Sequence, residues 1–187
     1  MALIVEDGTG KVDAESYASV AQFRDYHTKR GNDISGLTDT DIEALLRKAT
    51  DYIQQTYYGR WAGYRNEENQ ALDWPRSYVP RDPSIQYPSP QQVTTDVAAY
   101  YYPFNEIPLQ LIQATCELAL KADGEELLGE YGQVTKSEKV GRIEVEYDNH
   151  KTPNNTYPAI DRLLSRFMGV GTTGMSISPF AARLVRS

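Results

Sequence analysis

Apolar residues recur with a helical period over most of the chain and with a period of two in one short stretch. The clearest run is Ile42, Leu45, Leu46, Ala49, Tyr52, Ile53 and Thr56, which fall on one helical face without a gap. Thr40 and Glu43 read as a capping box at its start, so the spacing predicts a helix over 41–57, ended by Gly59. Tyr17, Val20, Phe23 and His27 keep the same period over 16–30, where Gly31-Asn32 stops it. Pro108, a residue favoured in a first turn, opens a third helix carrying Leu111, Ile112, Thr115, Leu118, Ala119 and Ala122. Cys116 and Leu120 widen that stripe, and Leu127-Leu128 can continue it to Gly129. A last short helix over 159–168 aligns Ile160, Leu163, Leu164 and Phe167. The period changes at Ile143, Val145 and Tyr147, which alternate with Arg142, Glu144 and Glu146 as in a half-buried strand. Residues 134–140, before Gly141, can pair with it as a hairpin. Residues 3–5 are a short β-prone run ended by the turn cluster Asp7-Gly8-Thr9-Gly10.

Residues 58–106 keep no period. Pro75, Pro80, Pro83, Pro88, Pro90 and Pro103 forbid a continuous helix or a central strand there. The stretch reads as a long ordered loop pinned at its near end by Trp61 and Trp74, with a short helix or strand over 96–102. The cluster Tyr100, Tyr101, Tyr102 and Phe104 argues for contact with a neighbouring subunit or a partner protein. Beyond Gly169 the chain is rich in Gly, Ser and Thr up to Phe180, Arg183, Leu184 and Arg186. The predicted fold is mainly α: a small helical bundle with a β-hairpin, a long Tyr/Pro-rich loop and an extended C-terminal tail. It divides into a helical domain over 1–168, holding the loop 78–106, and a flexible tail over 169–187. No internal repeat is visible.

Composition narrows the function. The 187 residues suffice for one domain with a core. A formal net charge of -7, from 26 acidic against 19 basic residues, repels nucleic-acid phosphate on average. Gripping DNA is therefore an improbable main task, although a local basic patch or a ring with an acidic inner wall stays compatible with the charge. The single cysteine, Cys116, admits no internal disulfide and reads as a small buried thiol. The start of the chain has no basic segment and too short an apolar run for a signal peptide, and no stretch has the length of a membrane span. A soluble protein made in a cytoplasm, without membrane contact, is expected, so Asn154-Asn155-Thr156 carries no glycosylation meaning.

Motifs of chemistry fail on context. Gly169-Val170-Gly171-Thr172-Thr173-Gly174 has the letters of a dinucleotide-binding turn, but it follows a helix and only 13 residues remain after it. Gly8-Thr9-Gly10-Lys11 imitates the end of a phosphate loop without the upstream glycine, and Val12 stands where a hydroxyl is needed. The 2 histidines, His27 and His150, lie far apart, which disfavours a histidine-based catalytic or metal site. Asp39 and Asp41 suit a helix start, while Glu67-Glu68 and Glu125-Glu126 read as solvated faces. No catalytic, cofactor or metal residue is expected, and the chain reads as a non-enzyme. The 14 tyrosines could stack on single-stranded bases, but 96–106 has no positive charge to track a backbone. Arg60, Arg65, Arg76 and Arg81 are scattered near Trp61, Trp74 and Tyr78. Packing of these aromatics onto the helices is the simpler reading.

The order of several segments resembles a recurring phage protein. Leu3-Ile4-Val5-Glu6-Asp7-Gly8-Thr9-Gly10 and Ala14-Glu15-Ser16-Tyr17-Ala18-Ser19-Val20 lead to a helix ending in Arg30-Gly31. Ala44-Leu45-Leu46-Arg47-Lys48-Ala49-Thr50-Asp51-Tyr52-Ile53, Tyr58-Gly59-Arg60 and Gln70-Ala71-Leu72-Asp73-Trp74-Pro75-Arg76 follow. Then come Ile107-Pro108, Ala114-Thr115-Cys116-Glu117-Leu118-Ala119, Ser137-Glu138-Lys139-Val140-Gly141, Val145-Glu146-Tyr147 and Tyr157-Pro158, so the likeness covers most of 3–168. The family resembled is that of tailed-phage head–tail adaptors, or connectors, also labelled DnaT-like and single-stranded-DNA-binding. The resemblance implies a helical bundle that forms a twelvefold ring under the portal protein, in the neck of the virion. Such a ring extends the channel through which double-stranded DNA passes without sequence-specific binding, and it receives a downstream neck or tail protein. It also implies that the tail, with Phe180, Arg183, Leu184 and Arg186, reaches the portal and becomes ordered on docking. The region 78–106 departs from the family pattern as an apparent insertion, so its role is not carried over. A single-stranded-DNA-binding module is the alternative expectation.

Overall fold

The computed structural model describes residues 2–81, 100–128 and 157–169 in full, and the backbone of two short strands at 137–140 and 143–146. Four helices carry the fold: α1 (Val20–Thr28), α2 (Asp39–Tyr57), α3 (Leu109–Gly124) and α4 (Pro158–Leu164), the last running into a 3-10 turn at Ser165–Phe167. The fold is mainly α, a helical bundle with a small antiparallel hairpin, as the hydrophobic pattern predicts.

Helix α2 is the spine. Its stripe of Ile42, Leu45, Leu46, Ala49, Tyr52 and Ile53 is buried, and it packs most extensively against α3, which in turn meets α1 and α4. The capping box lies two residues before the expected one. The Asp41 amide donates to Thr38 Oγ1 at 3.3 Å, and the Thr38 amide to Asp41 Oδ2 at 3.0 Å. Thr38 is extended, just outside the helix, whereas Thr40 is already within its first turn. Glu43 pairs instead with Arg47 one turn on, at 3.8 Å. Asp39 and Asp41 occupy the first turn, as expected of carboxylates near the positive end of the helix dipole.

Helix α1 is shorter than its periodicity predicts. It begins after Ser19, whose side chain caps it together with Gln22. The residues before it are held in a competing extended pairing, with a bridge between Val5 and Ser16 and a bond from the Glu6 amide to the Ser16 carbonyl at 2.9 Å. Tyr17 therefore lies outside the helix, and its phenol oxygen accepts from the Trp74 amide at 3.3 Å. Helix α3 stops at Gly124, short of Gly129, because Glu125 turns to an extended conformation. Leu127 still reaches the core. The last helix keeps its apolar face but tightens into the 3-10 turn after Leu164. Strands β3 (Ser137–Val140) and β4 (Ile143–Glu146) pair antiparallel with Val140 opposite Ile143.

The aperiodic stretch after α2 is anchored by aromatic rings. Trp74 is fully buried, with the rings of Trp61 at 5.9 Å and Phe167 at 5.5 Å in edge-to-face contact. Tyr57 meets Trp61 at 5.7 Å, so α2, the irregular segment and the 3-10 turn share one cluster. Within it, two strands of two residues, β1 (Tyr64–Arg65) and β2 (Arg76–Ser77), pair antiparallel where sequence reasoning saw only loop. Arg76 holds the segment closed by donating to the carbonyls of Ala62 and Gly63, both at 2.8 Å, and of Asp73 at 3.2 Å. Burial of the guanidinium shifts its pKa downward, while the nearby Asp73 carboxylate opposes that shift.

His27 is a core residue. One ring nitrogen lies 3.0 Å from the Cys116 carbonyl oxygen and the other 2.9 Å from the Asn32 side-chain nitrogen. A carbonyl only accepts, so Nε2 carries the proton and Nδ1 accepts from the Asn32 amide. Cys116 is the buried thiol expected, its pKa pushed up to about 12 by burial. No helix among the described residues is long and apolar enough to cross a membrane.

Candidate functional site

Two surface features stand out against this interior: a loop at 103–108 and a cleft at the far end of α2. The loop begins where 79–81 and 100–102 run antiparallel. The Tyr102 amide donates to Val79 O at 2.9 Å and the Arg81 amide to Tyr100 O at 3.0 Å. Arg81 Nε adds a bond to the Tyr101 carbonyl at 3.0 Å. Of the four aromatics expected to meet a partner, Tyr101 is 6% exposed and Tyr100 37%. Tyr101 packs edge-on against Tyr78 at 5.7 Å, and Tyr102 is half-buried against Phe167 at 5.2 Å. Phe104 is different. Its side chain is 63% exposed, and Leu109, at the start of α3, is 61% exposed. A shallow cleft of about 360 Å³ beside the loop is lined by Tyr102, Pro103, Glu106, Ile107, Leu109 and Ile112 among others, without Phe104.

Phe104 is held through its backbone. Asn66 donates its side-chain amide to the Phe104 carbonyl, and Ser77 fixes Asn66 by donating to its oxygen at 2.6 Å. From the other side comes the turn at Gly8, where the Asn105 carbonyl stands in the space a β-carbon would fill. Gly8 has a φ of 101°, a conformation natural only to glycine. The turn itself is organised by the buried carboxylate of Glu6, which accepts from the amides of Gly8 at 2.9 Å, Gly10 at 3.0 Å and Lys11 at 2.8 Å. This explains the phosphate-loop look-alike: its amide nest is already filled by the protein's own anion. Sequence reasoning missed that role for Glu6. The signal was an acid just before a Gly-x-Gly turn.

The second cleft, about 310 Å³, lies between the end of α2 and the α4 turn. Tyr52, Thr56, Tyr57, Arg60, Asp161 and Ser165 line it, with Met168. Its base is fixed by the Trp61–Met168 bridge, by the Ala62 amide donating to Phe167 O at 2.8 Å, and by the Gly169 amide donating to Arg60 O at 3.0 Å. Tyr57 donates its phenol to Asp161 Oδ1 at 2.7 Å. Burial, with Asp161 next in importance, raises the Tyr57 pKa well above the ordinary phenol value. Burial raises the Tyr52 pKa, and a hydrogen bond with the Thr56 side chain opposes that shift. The charged groups lining the cleft are Arg60 and Asp161, while Arg162 and Arg166 are exposed residues outside its lining.

Elsewhere the arrangement offers little chemistry. Among the described residues no group of three His, Cys, Asp or Glu is placed to hold a metal ion. His27 is occupied in the core, and His150 lies outside the described residues, as do Phe180, Arg183, Leu184 and Arg186. Of the expected hinge 169–174, only Gly169 is described. What the fold and its surfaces define, among the described residues, is a small helical module, tightly pinned inside, with a presented loop and two shallow clefts. The chain matches, over residues 1–187, the family model described as "Putative DnaT-like ssDNA binding protein", and it belongs to that family. No curated protein and no solved structure matches it.

Proposed function

We propose that this chain is a structural head–tail adaptor of a tailed phage. It forms a twelvefold ring under the portal protein in the virion neck, extends the DNA channel and receives a downstream neck or tail protein. It is not an enzyme, and double-stranded DNA passes it without sequence-specific contact. The observation that carries the reading is the loop at 103–108. A large apolar side chain, Phe104, is left exposed while its backbone is clamped from two sides. A preorganised aromatic on the surface is what a protein–protein interface uses as an anchor. The ordered run of adaptor-like segments over 3–168 supports the same reading, and the C-terminal residues Phe180, Arg183, Leu184 and Arg186 are assigned to portal contact. Mixing the protein with its portal and measuring the mass of the complex tests it. Twelve copies per portal ring are expected, and repeated failure to co-assemble would sink the reading.

The family description favours a second reading, a single-stranded-DNA-binding module. Titration of a labelled oligonucleotide at moderate salt separates the two. Salt-sensitive micromolar binding supports the second, whereas the net charge of -7 predicts none.

A further inference from the structure

We propose that residues 175–187 of this chain bind, within the same molecule, the cleft beside the loop at the start of α3. Tyr102, Ile107, Leu109 and Ile112 supply its apolar walls, and Glu106 is the one charged group in its lining among the described residues. Leu109 is 61% exposed, so this wall is open to a guest. Glu106 is exposed as well and forms no ion pair among the described residues. The volume of about 360 Å³ takes a phenyl ring and a leucine side chain together, since ~150 Å³ suffices for benzene. The guest that fits is therefore an apolar segment carrying positive charge.

The distribution of charge along the chain points to its own last residues. All 26 acidic residues lie within 1–161, whereas 162–187 carries only positive charge, on Arg162, Arg166, Arg183 and Arg186. Phe180 and Leu184 are the apolar side chains for the walls, and Arg183 and Arg186 are the charges for Glu106. A second copy brings its own net charge of -7, so two bodies repel where body and segment attract.

The path of the chain favours the same molecule. The Gly169 amide donates to Arg60 O at 3.0 Å, and two residues earlier the Phe167 ring lies 5.2 Å from that of Tyr102, a wall of the cleft. The last described residues thus stand one side chain from the binding surface. Residues 170–180 reach up to ~36 Å when extended, ample to bring Phe180 there. Such a tether sets a local concentration of roughly millimolar order, far above that of a second copy in dilute solution. The residues held are those assigned above to portal contact. While the cleft keeps them they are withheld from any other surface, and the contact is autoinhibitory. It involves one chain alone, so it does not require the adaptor reading, which portal co-assembly tests separately.

Disulfide trapping in the full chain tests the assignment. Gln110→Cys, in the cleft lining, is combined with Ala182→Cys, and Cys116 is buried and does not compete. The control pairs Ala182→Cys with Tyr58→Cys, a position 78% exposed and two residues from Arg60, which holds Gly169. A segment without a site meets position 58 at least as often as position 110. Oxidised glutathione is the oxidant, and each rate is divided by that of the same surface cysteine with glutathione alone. The cleft pair should form the monomeric cross-link at least about tenfold faster than the control. Arg183→Glu with Arg186→Glu should remove most of this advantage, and adding Glu106→Lys should restore part of it; high salt should weaken it. A second measurement needs no cysteine. In the full chain, Phe180→Asp with Leu184→Asp should quicken hydrogen exchange over 107–112 and leave α2 unchanged. Equal cross-linking rates, or unchanged exchange, overturn the proposal. Cross-links that form only between copies, and fade on dilution, overturn it in favour of a second copy as the occupant.

Discussion

Trp74 and Phe104 flank the Tyr- and Pro-rich part of the chain and are ordered by opposite means. Trp74 is held by its side chain, fully buried among Trp61, Phe167 and the phenol of Tyr17. Phe104 is held by its backbone, between Asn66 and the Gly8 turn, with its ring left in solvent. The first arrangement draws stability from burying an aromatic surface. The second forgoes most of that stability and keeps the surface available. One region makes the fold, and the other uses it. The sharpest way to break this contrast is Trp74→Ala. Loss of a buried indole should cost ~3–5 kcal/mol, read as a lower urea midpoint. A cost under ~1 kcal/mol would mean that the cluster is not the pin described.

A second test uses pH. Tyr17, Tyr57 and Cys116 are each shifted upward, chiefly by burial, Cys116 to about 12. Their ordinary values are 10.0 for the phenols and 9.0 for the thiol. A group whose pKa is higher in the folded state stabilises it fully below the unfolded value. That contribution is lost as pH rises from there toward the folded value, at up to about 1.4 kcal/mol per pH unit per group. Melting temperatures should therefore fall between pH 9 and 12, with Phe104→Ala showing the same slope as the wild type. A different slope for that variant would tie Phe104 to the titrating interior.

Gly8→Ala addresses the clamp. A side chain there meets the Asn105 carbonyl and demands a positive φ, so a cost of ~1–3 kcal/mol is expected. The effect should be local. Hydrogen exchange should quicken at the amides of 104–106 and stay slow in α2. Uniform acceleration would show that the turn supports the whole body and not the loop.

What the sequence made legible follows from what each residue depends on. The faces of α2 and α3 were readable because burial of a periodic stripe is a local pattern in the chain, and Ile42 to Ile53 obey it. The start of α1 was not, because Ser16 is drawn into pairing with Val5 and Tyr17 toward Trp74, both set by tertiary contacts. The inward turn of Tyr101 and Tyr102 was equally hidden: four adjacent aromatics look alike until Tyr78 and Phe167 come to lie beside two of them. Arg76 read as a loop cation and is an internal tie, since its three carbonyl partners are brought together only by the β1–β2 pairing. The cleft joins residues 52–60 to 161–168, a juxtaposition no spacing along the chain announces.

The smallest expected effect is the most telling for the contrast between the two regions. Phe104→Ala should change the stability of the isolated chain by no more than ~0.5 kcal/mol, because a side chain 63% exposed has little contact area to lose. Asn66 donates to the carbonyl of residue 104 and that of 105 packs closely on Gly8, and alanine at 104 keeps both. The loop should keep its shape without the ring. Urea unfolding of the monomer at low concentration isolates this term from any association. A loss above ~1 kcal/mol would mean that the ring packs on its own body, and the distinction between a residue that builds the fold and one that the fold presents would collapse. An unchanged midpoint alongside lost self-association would place the ring's contribution wholly between molecules.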